Sequence, residues 1–247
     1  MIPPTTVRTS HAMSRTPTTA ELCHDRLGDR FQKALSDYDT RRRVDILIDE
    51  FLSDDQLCGK RVLDVGCGLG FFSQRLVERG ADVLACDIGA GLVSRTRSRV
   101  GCHAEVADAL MLADHFGPEQ FDVVVSSECI EHTPDPTRAL EQMMAVLRPG
   151  GHLSVSTPNR LWSPVVRLAT ALKLRPFDGH ECFSSWSSLE RTLRLQGGDI
   201  LRRRGLHLWP FQIPFHGLSR WCDDHLQVLR GGMINLCVLA RKRPTAD

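Results

Sequence analysis

The sequence predicts an α/β fold in which helices cover both faces of a doubly wound, mostly parallel sheet. Short apolar runs typical of strands alternate with helical segments from about residue 60 to Pro158. The first strand–helix unit ends at Gly80, as expected of a helix C-terminal cap. A chain of 247 residues with 42% hydrophobic content is also long enough for one domain with a complete core.

The first half of the chain supplies the lead-in helix and three strands. Apolar residues recur at helical spacing from Arg30 to Leu52, and we interpret the arginine run at 41–43 within this helix as a solvated face. The stretch KRVLDVGCGLG follows as a strand with a glycine-rich turn, and FFSQRLVERG as a helix. The stretches ADVLACD and CHAEVAD are the next strands, with helices over Gly89–Arg99 and Leu110–His115.

The second half of the chain completes the sheet. FDVVVSS is a buried fourth strand, after which Asp135 is placed to cap a helix that has Pro136 at its first position. The stretch RPGG turns the chain into HLSVSTP, the fifth strand. A short helix beginning at Ser163 and another over SSWSSLERTLRLQGG then precede two further strands, Asp199–Leu208 and Met233–Ala240.

The pattern indicates one folded domain after a tail. We expect residues 1–25, which are rich in Thr, Pro and Ser, to be a disordered N-terminal tail, and 26–247 to be a single domain. Within this domain, 60–160 is the expected cofactor-binding core, and 160–230 supplies substrate-side helices and a lid. The lid is suggested by the aromatic segment 209–221, which precedes the last strand and could cover a flat or apolar acceptor; ordinary core under a long loop is the alternative.

Charge and cysteine usage favour a small-molecule partner. The 31 Lys and Arg residues balance 30 Asp and Glu residues, so no net field draws the protein to nucleic acid or an anionic membrane. The sequence contains no membrane-spanning apolar run and no apolar signal core, which predicts a cytoplasmic protein. Its nine cysteines are scattered without a CxxC pair, which fits reduced thiols. A homodimer is left open.

The glycine-rich turn after the first strand indicates a cofactor site. Gly66, Gly68 and Gly70 lie two apart, so the backbone can turn sharply and a ligand can approach it. A dinucleotide fingerprint requires glycine three residues after Gly68, where this chain has Phe71, and the G-K-[ST] of a phosphate-binding loop is also missing. A cofactor without a pyrophosphate fits better, and a positive charge on it would favour the nearby Asp64.

Carboxylates at the ends of the next strands support the same site. Asp87 ends the second strand, where a carboxylate can accept hydrogen bonds from both hydroxyls of a ribose. Asp108, at the end of the third strand, is placed to accept from an adenine amino group. One carboxylate at a strand end is usually a helix cap, but three at successive strand ends beside a glycine turn favour ligand binding.

These motifs resemble those of class I S-adenosylmethionine-dependent methyltransferases. The resemblance rests on VLDVGCGLG, the strand-ending Asp87, VADA, FDVVVSSECIEHTPDP and LRPGGHLSVSTPNR, and covers about residues 60 to 160. The E-x-x-E-H-x-P-D-P run and STPNR are especially similar to ubiquinone-pathway O-methyltransferases. The resemblance implies a Rossmann-like seven-stranded sheet whose last strand is antiparallel. It also implies that Asp64 and the glycines face the methionine part of the cofactor, Asp87 the ribose, and Ala107 with Asp108 the adenine.

The complete set of expected cofactor-binding residues is Asp64, Gly66, Cys67, Gly68, Gly70, Asp87, Ile88, Ala107, Asp108, Ala109 and Ser126.

Three polar side chains after the fourth strand form the candidate catalytic or metal site. Glu128, Glu131 and His132 stand at i, i+3 and i+4, so a helical turn would bring them to one side. They could hold Mg²⁺ or another divalent ion, a role the resemblance supports. Alternatively, His132 alone acts as general base, or Glu128 contacts cofactor or backbone while the other two cap the next helix. His180 in DGHECF is a second candidate base.

The resemblance implies a methyltransferase that modifies a small molecule. We expect O-methylation of a phenol, a sugar or a secondary-metabolite hydroxyl, and N- or C-methylation remains the nearest alternative. The basic runs at 202–204 and 241–243 leave an RNA methyltransferase open. A cofactor-binding partner protein without turnover is the non-enzymatic alternative.

Overall fold

A seven-stranded sheet organises the chain. The computed structural model describes residues 16–19, 21–27, 36–172, 181–210 and 215–244. The strand order across the sheet is β3-β2-β1-β4-β5-β7-β6. In chain order, the strands are β1 (Arg61–Val65), β2 (Asp82–Asp87), β3 (His103–Val106), β4 (Phe121–Ser127), β5 (Leu147–Pro158), β6 (Gly198–Leu206) and β7 (Asn235–Lys242).

Helices connect these strands and pack on both faces of the sheet. In chain order, they are α1 (Cys23–Leu27), α2 (Asp37–Val44), α3 (Asp54–Leu57), α4 (Phe71–Glu78), α5 (Ala90–Val100), α6 (Leu112–Phe116), α7 (Pro136–Val146), α8 (Ser163–Ala171), α9 (Trp186–Leu195) and α10 (His216–His225). The second helix continues as a π-helical turn over Asp45–Glu50. Short 3₁₀ turns lie at Ile130–His132, Arg160–Trp162 and Gln227–Gly232.

The strand directions confirm the predicted fold class. β1 lies inside the sheet and pairs in parallel with β2 and β4, and β4 pairs in parallel with β5. The last strand, β7, runs antiparallel between β5 and β6. Because both faces are covered, strands such as β1 are apolar through most of their length, with four of its five residues buried. The carboxyl ends of β1, β2, β3 and β4 therefore meet at one edge, where open α/β folds bind ligands.

Two apolar clusters fill the space on the two faces of the sheet. One packs α7 and α9 against the sheet and includes Met143, Leu147 and Leu189. The other packs the lead-in helix and α4 on the opposite face, through Ile46, Leu57 and Leu76. The expected α7 cap is confirmed, because the Asp135 side chain accepts a hydrogen bond from the Arg138 backbone N–H at 2.9 Å, with Pro136 at the first helical position.

The lead-in helix differs from its sequence interpretation. Of the three arginines at 41–43, only Arg41 is solvated, while Arg42 and Arg43 are 4% and 6% exposed. The prediction of a solvated face is wrong for these two because their carboxylate partners come from both near and distant segments. Arg43 pairs with Asp39 one turn earlier in the same helix, and Arg42 pairs with Asp224 of α10 at 2.8 Å.

The end of the predicted N-terminal tail is also folded. Residues 21–25, which we assigned to disorder, include buried Glu21 and Cys23, and helix α1 begins at Cys23. A capping box explains this local order, because both the backbone N–H and the hydroxyl of Thr18 donate to the Glu21 carboxylate at 2.8 Å. The predicted tail boundary at residue 25 therefore lies inside α1.

The substrate-side region is described in part. His180 lies outside the described residues, as do 211–214 of the aromatic segment 209–221. Residues 216–221 of that segment lie in α10, and Phe215, which precedes the helix, and Trp221 are 70% and 52% exposed. On α8, Val165 and Leu168 are also exposed rather than buried. Among the helices that the structure describes, none combines the length and apolar character needed to cross a bilayer.

Candidate functional site

The glycine turn follows β1 in the position that the sequence predicts. Gly66, Gly68 and Gly70 all have positive φ, at 74°, 53° and 81°, a region that other residues rarely adopt. The backbone N–H groups of Gly66 and Cys67 both donate to the Cys86 carbonyl, at 2.8 and 3.0 Å. These bonds hold the turn against the end of β2, so its shape is fixed by the neighbouring strand.

The Asp87 carboxylate joins the glycine turn to the next helix. One carboxylate oxygen accepts from the Gly68 N–H at 3.0 Å, and the other accepts from the Gly89 N–H at 2.9 Å, just before α5. Burial raises the pKa of Asp87 to about 6, against the effect of these two hydrogen bonds. Asp87 therefore sets the distance between the turn and α5 at the point where the sequence analysis places a ribose.

Asp64 lies in β1, two residues before the first glycine of the turn. Its carboxylate is 2% exposed and accepts a hydrogen bond of 2.5 Å from the Ser73 hydroxyl in α4. Burial raises the pKa of Asp64 to about 7, although the Ser73 hydrogen bond opposes the shift. This contact ties the strand before the turn to the helix after it.

The other expected cofactor residues lie at neighbouring strand ends. Asp108 stands two residues beyond β3 and accepts from the Leu110 N–H at 2.9 Å. Ser126 is fully buried, and its hydroxyl donates to the Val65 carbonyl at 3.0 Å, which links β4 to β1. The remaining members of the set have little exposed surface: Cys67, Ala107 and Ala109 are buried, and Ile88 is partly buried.

The backbone at Glu128 is not helical, in contrast to the arrangement that its spacing suggested. Its φ is 50°, a left-handed conformation that is uncommon outside glycine. Its carboxylate oxygens accept from the Ser156 hydroxyl and from the Asn235 side-chain amide, each at 2.8 Å. Glu128 thus binds the neighbouring strands β5 and β7, and its pKa is raised by burial despite the nearby positive charge of Arg43.

Glu131 and His132, which follow Glu128 by three and four residues, have neighbouring side chains. The Glu131 side chain is 2% exposed and the His132 ring is 20% exposed, with 3.8 Å between Glu131 Oε1 and His132 Nε2. Thr157 Oγ1 donates to the other carboxylate oxygen of Glu131 at 3.3 Å. Burial, together with the charge of Glu128, raises the pKa of Glu131 well above its ordinary value.

The predicted metal set Glu128, Glu131 and His132 is not assembled. Within the described ranges, no three His, Cys, Asp or Glu side chains are grouped so that they could hold a metal ion. The helical spacing fails because the 3₁₀ turn begins only at Ile130, after the left-handed Glu128. The Glu128 carboxylate is therefore directed towards Ser156 and Asn235, whereas Glu131 and His132 lie 3.8 Å apart.

A buried polar network that the sequence analysis missed adjoins these residues. Arg43 donates two hydrogen bonds to Asp39, and its Nη1 donates to the Ser127 hydroxyl at 2.9 Å. His207 is fully buried, with its Nε2 2.9 Å from Asp39 Oδ1. Its other ring nitrogen lies 3.8 Å from Asp223 on α10. The only available signal was the spacing of Asp39 and Arg43, four residues apart on a helix.

His24 of α1 also reaches the site. Its ring meets that of His132 edge to face, with 4.5 Å between centroids. Burial, and secondarily the proximity of His132, lowers the pKa of His24 to about 3. Neutral His24 therefore lies against the candidate base at the end of β4, although we assigned that part of the chain to the tail.

Comparison with known proteins agrees with this architecture. A family model described as a methyltransferase domain matches residues 36–202. A ubiquinone biosynthesis O-methyltransferase from Cupriavidus pinatubonensis is 33% identical over 179 residues, which cover 68% of this chain and 71% of that protein. A protein of the same description from Pseudomonas fluorescens is 39% identical over 109 residues, covering 42% of this chain and 47% of the relative. The chain thus spans about half the length of several curated relatives that it matches.

Solved structures share the fold at lower identity. An S-adenosylmethionine-dependent methyltransferase from Mesorhizobium loti superposes with a TM-score of 0.61 at 22% identity, covering 81% of this chain and 98% of that chain. The magnesium protoporphyrin IX methyltransferase of Synechocystis gives a TM-score of 0.65 at 16% identity, with 90% and 97% covered. The family match, the sheet order and the glycine turn with its strand-end carboxylates agree, and the chain belongs to the class I S-adenosylmethionine-dependent methyltransferases.

Proposed function

We propose that the chain transfers a methyl group from S-adenosylmethionine to a small molecule, and that the acceptor atom is a hydroxyl oxygen. The observation that carries the proposal is the bridging Asp87 carboxylate at the ligand-binding edge of the sheet. Its two oxygens hold the glycine turn and the start of α5 at hydrogen-bonding distance. This geometry keeps a buried acceptor of hydrogen bonds beside the glycine turn.

The hydrogen-bond acceptors of the site fit an adenosyl group. Asp87 and Asp108 follow neighbouring parallel strands, so they can receive a ribose diol and an adenine amino group from one ligand. The glycine turn has no adjoining lysine that would pair with a phosphate. When bound, S-adenosylmethionine supplies a methyl group that its sulfonium has already activated. The protein then has to align the acceptor and remove its proton.

We assign proton removal to His132. Its partly exposed ring lies at the end of β4, while Glu131 is buried behind it at 3.8 Å. As the acceptor oxygen forms its bond to the methyl carbon, the carbon–sulfur bond breaks and the hydroxyl proton passes to a ring nitrogen of His132. Because Glu131 lies beside that ring, we expect it to be a positioning residue.

The class of acceptor is supported by the relatives. Several are named as ubiquinone biosynthesis O-methyltransferases, which supports an oxygen acceptor here and makes phenols the first class to test. Those names give no support to a secondary-metabolite acceptor. Sugars, amines, carbon acceptors and RNA are distinguished by the transfer assay described below.

Cofactor binding is tested with two aspartates of one strand. Calorimetry should show that S-adenosylhomocysteine binds the wild-type protein and that Asp87→Ala weakens binding by about tenfold or more, because a hydrogen bond to a charged group is lost. Asp82 begins the same strand with an exposed side chain, so Asp82→Ala should bind as the wild type does. If the two variants bind S-adenosylhomocysteine with equal affinity, Asp87 does not contribute to cofactor binding and the proposal loses this support.

Turnover is tested by transfer from a methyl-labelled donor to phenols, sugars, amines and RNA. We expect label on a hydroxyl compound, and a fall of about 10² in kcat for His132→Ala but not for the exposed His103→Ala. Since the three candidate metal ligands are not assembled, activity should survive exhaustive chelation. Label on amines or RNA alone would contradict the hydroxyl acceptor, and loss of activity on chelation that Mg²⁺ restores would reinstate the metal.

A further inference from the structure

A short N-terminal segment lies across the candidate cofactor site. We call residues 21–27 the strap; it contains the last two residues before α1 and α1 itself. Its sequence promotes local folding, because Thr18 and Glu21 form the capping box that begins the turn. Cys23 is 6% exposed, so the strap is docked on the protein rather than projecting from it.

The strap is attached to α5 through Asp25. The Leu92 N–H donates to Asp25 Oδ1 at 2.9 Å, in the first turn of that helix. The residue at the N-cap of α5 is Gly89, which has no side chain to accept such a bond. Asp25 therefore supplies, from another part of the chain, the capping carboxylate that the helix lacks, and its negative charge interacts favourably with the helix N-terminus.

Two glycines make this contact sterically feasible. A Cβ on Gly91 would lie 2.5 Å from Asp25 Oδ1, and one on Gly89 would lie 2.8 Å from the Asp25 Cβ. Both distances are shorter than van der Waals contact. The first turn of α5 is thus shaped to receive the strap.

The strap makes a second contact just beyond the end of β4. His24 packs edge to face against His132, with ring centroids 4.5 Å apart. His132 follows β4, whereas α5 follows β2, and these two strands flank β1 in the sheet. The strap therefore spans the carboxyl end of β1, where the glycine turn lies.

We propose that the strap covers the bound cofactor, with Asp25 as its latch. The proposal rests on the proposed function, because it assumes that the adenosyl ligand occupies the cleft. A closed strap excludes water from the site of methyl transfer. It must also detach before the spent cofactor can leave, so the latch contact controls the rate of release.

The latch is tested by the release rate of S-adenosylhomocysteine, measured by stopped-flow competition with the full-length chain. Loss of one capping interaction should accelerate release from Asp25→Ala by about fivefold. Asp25→Asn keeps an acceptor oxygen and should lie between that variant and the wild type. Arg26→Ala, on an exposed position of the same helix, is the matched control and should release at the wild-type rate.

A second variant separates the latch from general stability. Gly91→Ala strengthens α5 by intrinsic helix propensity, yet its methyl group would displace the Asp25 carboxylate. Faster release together with an unchanged or higher Tm is expected, a combination that simple destabilisation does not give. Release rates equal to that of Arg26→Ala, or slower release, would overturn the strap proposal. Failure of the wild type to bind S-adenosylhomocysteine would instead contradict the proposed function.

Discussion

Asp39 and Arg43 form a two-pronged ion pair on the buried face of α2, with Nε–Oδ1 and Nη2–Oδ2 distances of 3.2 and 2.7 Å. Their side chains are only 10% and 8% exposed. The third guanidinium nitrogen of Arg43, Nη1, donates to the Ser127 hydroxyl at the end of β4, directly before Glu128. This pair therefore connects the lead-in helix to the strand end that carries the candidate catalytic residues.

Removal of the Arg43 charge should destabilise the protein strongly. Arg43→Met leaves the buried Asp39 carboxylate without its main counter-charge, and we expect the free energy of unfolding to fall by about 3–5 kcal/mol. Urea denaturation measures this loss. The lead-in helix offers a control in Arg41, whose pair with Asp37 is about 80% exposed, so Arg41→Met should cost less than about 1 kcal/mol.

The double variant Asp39→Leu/Arg43→Met tests the cause of that loss. It removes both charges, so it should recover part of the stability that Arg43→Met loses. No recovery would mean that packing of the arginine stem, rather than the stranded carboxylate, dominates.

The glycine turn has no space for a side chain at Gly66. Alanine there must adopt a φ of 74°, and its Cβ would lie 2.5 Å from the Sγ and 2.6 Å from the Cβ of Cys129. Gly101 has the same φ of 74° but nothing within 4 Å of its Cβ position. Gly101→Ala should therefore cost about 1–2 kcal/mol for left-handed strain, and Gly66→Ala about 1–3 kcal/mol more for overpacking. Thermal denaturation compares the two.

Removal of the opposing side chain should relieve the clash. In the Gly66→Ala/Cys129→Gly variant, both crowded atoms are gone, so stability should rise towards that of Cys129→Gly alone. If Gly66→Ala and Gly101→Ala lose the same stability, backbone strain accounts for both and the close approach of Cys129 is tolerated.

Local sequence patterns were sufficient for the sheet and for the glycine turn. The alternation of apolar runs with helices specifies parallel strands, and local chemistry specifies the Asp135 cap of α7. Such features depend on residues within a few positions of one another. For the same reason, Asp87 could be placed at the end of β2 from the strand pattern alone.

Features that depend on distant partners could not be predicted in this way. Arg42 is buried because Asp224, 182 residues later, accepts its hydrogen bond. Asp25 is ordered by an amide group 67 residues away. The three predicted metal ligands are not grouped for a local reason, since the left-handed Glu128 interrupts the helical geometry that their spacing assumed. A charge pattern in one segment does not identify its partners, and spacing alone does not fix backbone dihedrals.

Buried Asp64 predicts an unusual dependence of stability on pH. Burial raises the pKa of its carboxyl to about 7 in the folded protein, whereas the unfolded chain has the ordinary value of 3.8. Between these two pH values the folded state retains a proton that the unfolded state has lost. The stabilising contribution is complete below about pH 4 and is lost as pH rises to about 7, with a slope of up to about 1.4 kcal/mol per pH unit.

Asp64→Asn isolates this contribution because asparagine does not titrate, yet its side-chain oxygen can still accept from Ser73. From pH 5 to 7, urea denaturation of the protein without cofactor should show the variant gaining about 2–3 kcal/mol relative to the wild type. The exposed Asp82→Asn should follow the wild-type curve, because water solvates that side chain in the folded and the unfolded chain. Parallel curves for Asp64→Asn and the wild type would show that Asp64 is already ionised in the folded protein at pH 5. The Ser73 hydrogen bond would then lower the pKa of Asp64 by more than burial raises it.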